Sequence, residues 1–278
     1  MRSAAILGAG PIGSAIAHRL AERGRLNEVR LVDEAGSIAA GKALDIRQAG
    51  PVDGYDTAVT GSTDLLSSVS ADVVVFADTL NDGEWEGERG LAFVQRLMRA
   101  GSTAPMVFAG PSQTWLMEAA AREARVPIDR IIGTAVATLP NTVASLLHIE
   151  TGLAGATVAV SGRPTSFIVT WSTATVGGRL VNELVPAHRL LAISQSLVKL
   201  WPPGPQAIAA PTALAVEGLI LGSRTPLIAA AIADGEYGAR GVAAMLPIEL
   251  GDKRILRRSL PSQSPQELTE TGTALTRR

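Results

Sequence analysis

Gly8-Ala9-Gly10-Pro11-Ile12-Gly13 lies between a strand-like run, Ser3 to Leu7, and a helix-like run ending at Arg23. Its spacing is that of a dinucleotide-binding turn. Gly8 makes the tight turn, Gly10 carries no side chain to block a pyrophosphate, and Gly13 lets the helix pack closely on the sheet. Pro11 and Ile12 open that helix, whose N-terminal N–H groups and dipole face the phosphates. Twenty positions beyond Gly13, the second strand, Glu28 to Val32, delivers Asp33 to its carboxyl end. A carboxylate there accepts both hydroxyls of an adenosine ribose and repels a 2′-phosphate, so NAD is expected rather than NADP.

Outward from this stretch, apolar β-branched runs alternate with helical patterns. Thr57 to Thr60, Asp72 to Ala77, Met106 to Ala109 and Arg130 to Ile132 read as strands, and Ser37 to Gln48, Arg89 to Arg99 and Thr114 to Arg125 as helices. Such alternation means an α/β fold, a doubly wound parallel sheet of Rossmann type covered on both faces. After about Thr151 the pattern changes to a smaller α+β layer, giving expected domains of residues 1–150 and 151–278. In the second, Thr157 to Val160 and Phe167 to Thr173 suggest strands, and Ala187 to Leu200 and Ala207 to Leu221 helices. Pro226 to Ala233 and Val242 to Leu250 suggest a strand pair about Gly235-Glu236-Tyr237-Gly238. Ser264-Pro265-Gln266-Glu267 is a capping box opening a last helix.

The chain's 278 residues suffice for a core without covalent staples. A net charge of -1 and a pI near 6.3 leave no electrostatic footprint for nucleic acid or anionic lipid. Cysteine is absent, which removes disulfides, thiolate metal sites and a thiol nucleophile; no metal site is expected. Ile131 to Ile149 is free of formal charge, but Pro140-Asn141 interrupts it, so it reads as buried core and not a membrane span. With the first strand starting almost at the N-terminus, a cytoplasmic protein is expected.

Several segments together resemble the malate and lactate dehydrogenase family over nearly the whole chain. Beside the glycine turn these are Leu31-Val32-Asp33, Gly41-Lys42-Ala43-Leu44-Asp45, Ala49-Gly50-Pro51, Arg130-Ile131-Ile132-Gly133, Gly235-Glu236-Tyr237-Gly238 and Leu246-Pro247-Ile248-Glu249-Leu250-Gly251. The resemblance implies a nicotinamide-binding domain followed by a catalytic domain, a homodimer or homotetramer, and hydride transfer between NAD and a small-molecule substrate. It also implies that Ala77, ending the fourth strand, lines the cofactor groove.

The departures from the family pattern concern catalysis. Where the family carries its proton-relay histidine in Gly-Gly-His-Gly-Asp, this chain reads Ser161-Gly162-Arg163-Pro164-Thr165. Where Leu-Asp-x-x-Arg is expected, Thr138-Leu139-Pro140-Asn141-Thr142-Val143 offers neither acid nor arginine. The family's Asn-Pro pair is Gly110-Pro111. Its arginine-bearing substrate loop aligns with Asn81-Asp82-Gly83-Glu84-Trp85-Glu86-Gly87-Glu88, with Arg89 the one cation, at its far end. Arg163, Asn81, Asn141 and Thr142 thus occupy former catalytic or substrate positions. A guanidinium is effectively never deprotonated, so Arg163 serves as a clamp and not as a proton donor. His18, His148 and His188 read as structural or surface residues.

The acidic run Asp78, Asp82, Glu84, Glu86 and Glu88 has two readings. As a solvated turn it does nothing; closed over the nicotinamide, it repels a dicarboxylate and argues against malate or oxaloacetate as substrate. Trp85 either covers a larger ligand or anchors the loop. Three functions remain open from sequence. One is an NAD-dependent oxidoreductase with another substrate, such as an imine, which needs no proton donor. The second is a catalytically silent NAD-binding scaffold or sensor, and the third a non-redox enzyme such as a cyclase reusing the cleft.

Overall fold

The computed structural model describes residues 2–81, 83–164 and 166–276; Asp82 and Thr165, singled out above, lie outside the described residues. Short strands with buried apolar centres and helices between them cover both faces in a parallel sheet. β1 (Ser3–Leu7), α1 (Pro11–Glu22), β2 (Glu28–Val32), α2 (Gly36–Asp53) and β3 (Ala58–Ser62) run outward in one direction. The chain then returns to the other side of β1 with β4 (Val73–Phe76). β5 (Asp78–Thr79) and β6 (Gly83–Glu84) form a separate small antiparallel hairpin. α3 (Gly87–Arg99), β7 (Met106–Phe108), α4 (Thr114–Arg122) and β8 (Ile131–Gly133) complete the parallel part, and α5 (Thr138–Thr151) follows.

The second half supplies β9 (Thr157–Arg163), β10 (Ser166–Val176), β11 (Arg179–Leu180), α6 (Val181–Leu184), α7 (Ala187–Lys199) and α8 (Pro205–Leu221). β12 (Leu227–Asp234), β13 (Arg240–Gly251), β14 (Arg254–Arg258) and α9 (Pro265–Thr276) end it. Among the described residues the main sheet runs β11-β10-β9-β13-β12-β8-β7-β4-β1-β2-β3, with β14 beside β13. The α/β doubly wound expectation holds, with β3-β2-β1-β4-β7-β8 all parallel. β12 joins β8 antiparallel through Ala230 opposite Gly133 and Ala231 opposite Ile132, so the sheet continues across residue 150.

One apolar cluster lies under α1, α2 and α8, the other under α3, α4, α5 and α7, and each draws residues from both halves of the chain. Most expected elements form within a few residues of their expected ends. The exception is Thr138–Thr151, expected only as buried core and found as a helix. Pro140 lies in its first turn, where no intrahelical N–H is needed, so the proline that seemed to interrupt the segment sits without cost.

Candidate functional site

The chain leaves β1 for β2 on one side and returns to β4 on the other, and this switch opens a crevice at the carboxyl ends of those strands. Gly8–Gly13, Asp33 and Ala77 meet there. Gly10 occupies the cap position of α1 and offers no side chain to its first amides. Those amides are nevertheless satisfied. The Asp78 carboxylate accepts from Ile12 N at 3.1 Å and Gly13 N at 2.8 Å, and the Asp78 carbonyl accepts from Gly10 N at 2.8 Å. A Cβ built on Gly10 would stand 2.5 Å from the Asp78 Cγ, and one on Gly13 2.0 Å from the Gly8 carbonyl oxygen. Close packing of the turn therefore requires both glycines.

Asp33 ends β2 as expected and is only 2% exposed. Its carboxylate accepts from Ala9 N at 2.8 Å, Ala35 N at 2.9 Å and Leu80 N at 3.2 Å. The first two contacts belong to the turn and to β2's own end, whereas the third comes from the segment after β5. Lys42 Nζ braces the turn from outside, donating to the Ala9 carbonyl at 2.5 Å and to Ser14 Oγ at 2.9 Å. Ala77 is fully buried, and its carbonyl accepts from Trp85 N and Gln113 Nε2.

The acidic run is thus only partly solvent-facing. Asp78 is buried, Glu84 is half-buried, and Glu86 and Glu88 are exposed. Trp85 anchors the loop: it is 2% exposed, its Nε1 donates to the Leu7 carbonyl at 3.1 Å, and its ring stacks on Phe93. The Arg89 guanidinium lies over the indole ring, 4.5 Å from its centroid. Glu84 Oε2 accepts from Ser112 N at 2.9 Å and stands 2.0 Å from where a Cβ on Gly110 would be, so the bare glycine makes room for it. Burial pushes the Glu84 carboxyl above its usual range, and Glu86 and Asp78 push the same way against the Ser112 amide.

A small separate cavity lies beside Gly110. The cavity between Gly110, Pro111, Thr114, Met117 and Pro164 holds about 10 Å3, no more than one water requires. None of Arg163, Asn81, Asn141 and Thr142 lines it. Arg163 Nη2 donates instead to Glu118 Oε1, which also accepts from Ala243 N, so the guanidinium is tied to α4 and β13. Asn81 is exposed at the hairpin turn. Asn141 is exposed on α5, and Thr142 Oγ1 donates back to the Thr138 carbonyl. His18, His148 and His188 are all exposed.

Sequence reasoning missed Asp78 as part of the turn, Glu84 as an occupant of the space above Gly110, and Gln113, whose Oε1 accepts from Gly110 N. The available signal was position. Asp78 follows a buried strand at its carboxyl end, where side chains line the crevice. Among the described residues no group of three or more His, Asp or Glu stands together to hold a metal ion, and no helix is long and apolar enough to cross a membrane.

The amides of α1, the bare turn and the carboxylate ending β2 are the donor and acceptor set that a dinucleotide uses. Together with the strand order they define a Rossmann-type α/β protein. No family model matches the chain. It is 28% identical over 272 residues to a malate dehydrogenase of Dehalococcoides mccartyi, covering 90% of this chain and 88% of that one. To the malate dehydrogenase of Chlorobium phaeobacteroides it is 26% identical over 269 residues, covering 88% and 86%. The malate dehydrogenase structure from Salinibacter ruber shares the fold with a TM-score of 0.85 at 22% identity, over 98% of this chain and 93% of that one. A Cryptosporidium parvum lactate dehydrogenase solved with lactic acid and NAD shares it with a TM-score of 0.87 at 18% identity, over 99% and 94%. Over nearly its whole length the chain is thus similar to malate dehydrogenases, and it shares the fold of malate and lactate dehydrogenases.

Proposed function

We propose that this chain is an NAD(H)-dependent oxidoreductase of malate/lactate dehydrogenase type whose substrate is not a small dicarboxylate. The observation that carries the reading is the buried Asp33 carboxylate beside the α1 amides, a pair of partners for ribose and pyrophosphate that already holds an anionic group, Asp78. The Ile12 and Gly13 amides would hold the pyrophosphate and Asp33 the ribose hydroxyls. When bound, the reduced cofactor supplies a hydride.

The chain's own residues then decide what accepts it. With the histidines exposed and Arg163 held by Glu118, no imidazole stands ready to protonate an alkoxide. A protonated imine takes hydride at carbon and needs no such donor, and the carboxylates of Glu84 and Glu86 favour a cationic substrate over an anionic one. We therefore assign the substrate class as an imine or other C=X group without an adjacent acid. Titration of the protein with NADH, followed by assay on cyclic imines, ketones and oxaloacetate, tests this. Binding with turnover of an imine is the expected result; rapid reduction of oxaloacetate overturns the substrate assignment.

A second reading, a dinucleotide-binding protein without turnover, is favoured by Arg163 being held by Glu118 and by the exposure of all three histidines. NADH binding with no reaction on any member of the panel would select it.

A further inference from the structure

Helix α1 begins with amides that its own cap residue, Gly10, cannot satisfy. Unpaired N–H groups at a helix start, with the positive end of the macrodipole behind them, recruit an anion. Asp78 supplies one from the start of β5, two residues past the end of β4 and three before the exposed Asn81. Its carboxylate oxygens take both Ile12 N and Gly13 N while its carbonyl takes Gly10 N, and the residue is 8% exposed. These are the same donors a pyrophosphate would need, so the side chain and a phosphate cannot hold them together.

The remaining contacts of the segment close the rest of the crevice. Leu80 N donates to the Asp33 oxygen that already takes Ala9 N, Glu84 takes Ser112 N, and Trp85 is pinned to the Leu7 carbonyl. The hairpin β5–β6 keeps these four anchors on one short ribbon. The turn is moulded to it as well, since a Cβ on Gly8 would stand 2.2 Å from the Asp78 carbonyl oxygen.

We infer that Asp78 is an internal stand-in for the pyrophosphate and that the anchored residues Asp78, Leu80, Glu84 and Trp85 act as a strap the dinucleotide must displace, so that Asp78 sets the affinity of the site. The inference rests on the cofactor reading given above. Its scale follows from population arithmetic: a strap closed 99% of the time weakens apparent binding about a hundredfold. Withdrawal does not remove the charge either, because Asp78 remains beside a ligand of its own sign.

Calorimetric titration of the wild-type chain, Asp78→Ala and Asp78→Asn with NAD and, separately, with inorganic pyrophosphate tests it. Asp78→Ala is expected to bind each ligand at least tenfold more tightly than the wild type, with Asp78→Asn between them. Without ligand, Asp78→Ala is expected to melt lower than the wild type and to recover on adding NAD. Equal or weaker binding of both ligands by folded Asp78→Ala overturns the strap; if the wild type then binds NAD, the cofactor reading stands. Tighter pyrophosphate binding by Asp78→Ala with no NAD binding in any variant keeps the strap and overturns the cofactor reading. Should Asp78→Ala not fold, Asp78→Asn retains an acceptor oxygen for the α1 amides and decides alone: at least threefold tighter binding supports the strap, and unchanged binding overturns it.

Discussion

Glu84 shows how a single side chain reports on the closed crevice. Its carboxyl sits over Gly110 with one amide partner, and burial raises it above the ordinary value of 4.5. A raised acid favours the folded state only while protonated, so its contribution is fully present below about pH 4.5 and is lost as pH rises through the folded value. Glu84→Gln keeps an acceptor for Ser112 N and removes the charge. At pH 7 it is expected to raise the melting temperature by about 2 °C, with the difference closing below pH 4.5; a melt series from pH 4 to 8 checks this. The same charge was visible in the sequence, but only as one acid among five. Asp33 and the three glycines were legible because the roles of turn, close approach and ribose partner each demand one residue type at one spacing. Asp78 and Glu84 were not, because an acidic run reads alike whether it faces water or folds back onto amides, and only the strand register tells which.

At the level of elements, α9 illustrates a local signal that reaches further than its own helix. Ser264 and Glu267 form the expected capping box: Glu267 Oε2 accepts from Ser264 N at 2.8 Å, and Ser264 Oγ accepts from Glu267 N at 3.3 Å. Glu267 also accepts from Trp171 N at 2.8 Å, Ser172 N at 3.0 Å and the Ser172 hydroxyl, tying the helix to β10. Desolvation pushes this carboxyl up, but the hydrogen bonds from Ser172 and Ser264 together outweigh it and hold it below its ordinary 4.5. A lowered acid stabilises above the unfolded value and loses that contribution as pH falls through the folded one. Glu267→Gln is therefore expected to cost about 1–2 kcal/mol at pH 7 and much less near pH 3, measured by urea unfolding at both. The box was readable because cap and acid lie three residues apart, whereas its partners on β10 lie some 95 residues away. Helix α5 escaped for a different reason. A proline and small or branched residues suppress the helical pattern locally, while Val143 and Leu147 pack it against the sheet regardless.

At the scale of the whole molecule, the two halves share a sheet and a core that neither completes alone. β12 inserts between β8 and β13, and α8 lies along α1, so the apolar cluster under α1 contains Ile208, Ala213 and Val216 from the second half. A partly buried ion pair crosses the same seam. Glu217 on α8, 7% exposed, accepts from Arg23 Nε at 2.5 Å and Nη2 at 2.8 Å, with Arg25 Nε 3.7 Å away. Removing one partner of such a pair strands the other, typically at 3–5 kcal/mol. Because Arg25 remains nearby, Arg23→Ala is expected to cost about 2–3 kcal/mol, lowering the melting temperature by about 5 °C. The shape of the transition matters more than the size of the shift. If the sheet and clusters couple the halves, calorimetry records one transition that moves intact, because weakening the seam destabilises both sides together. Two separated transitions in Arg23→Ala would mean that residues 1–150 and 151–278 fold independently, and the crevice at the switch point would then be a property of the first half alone.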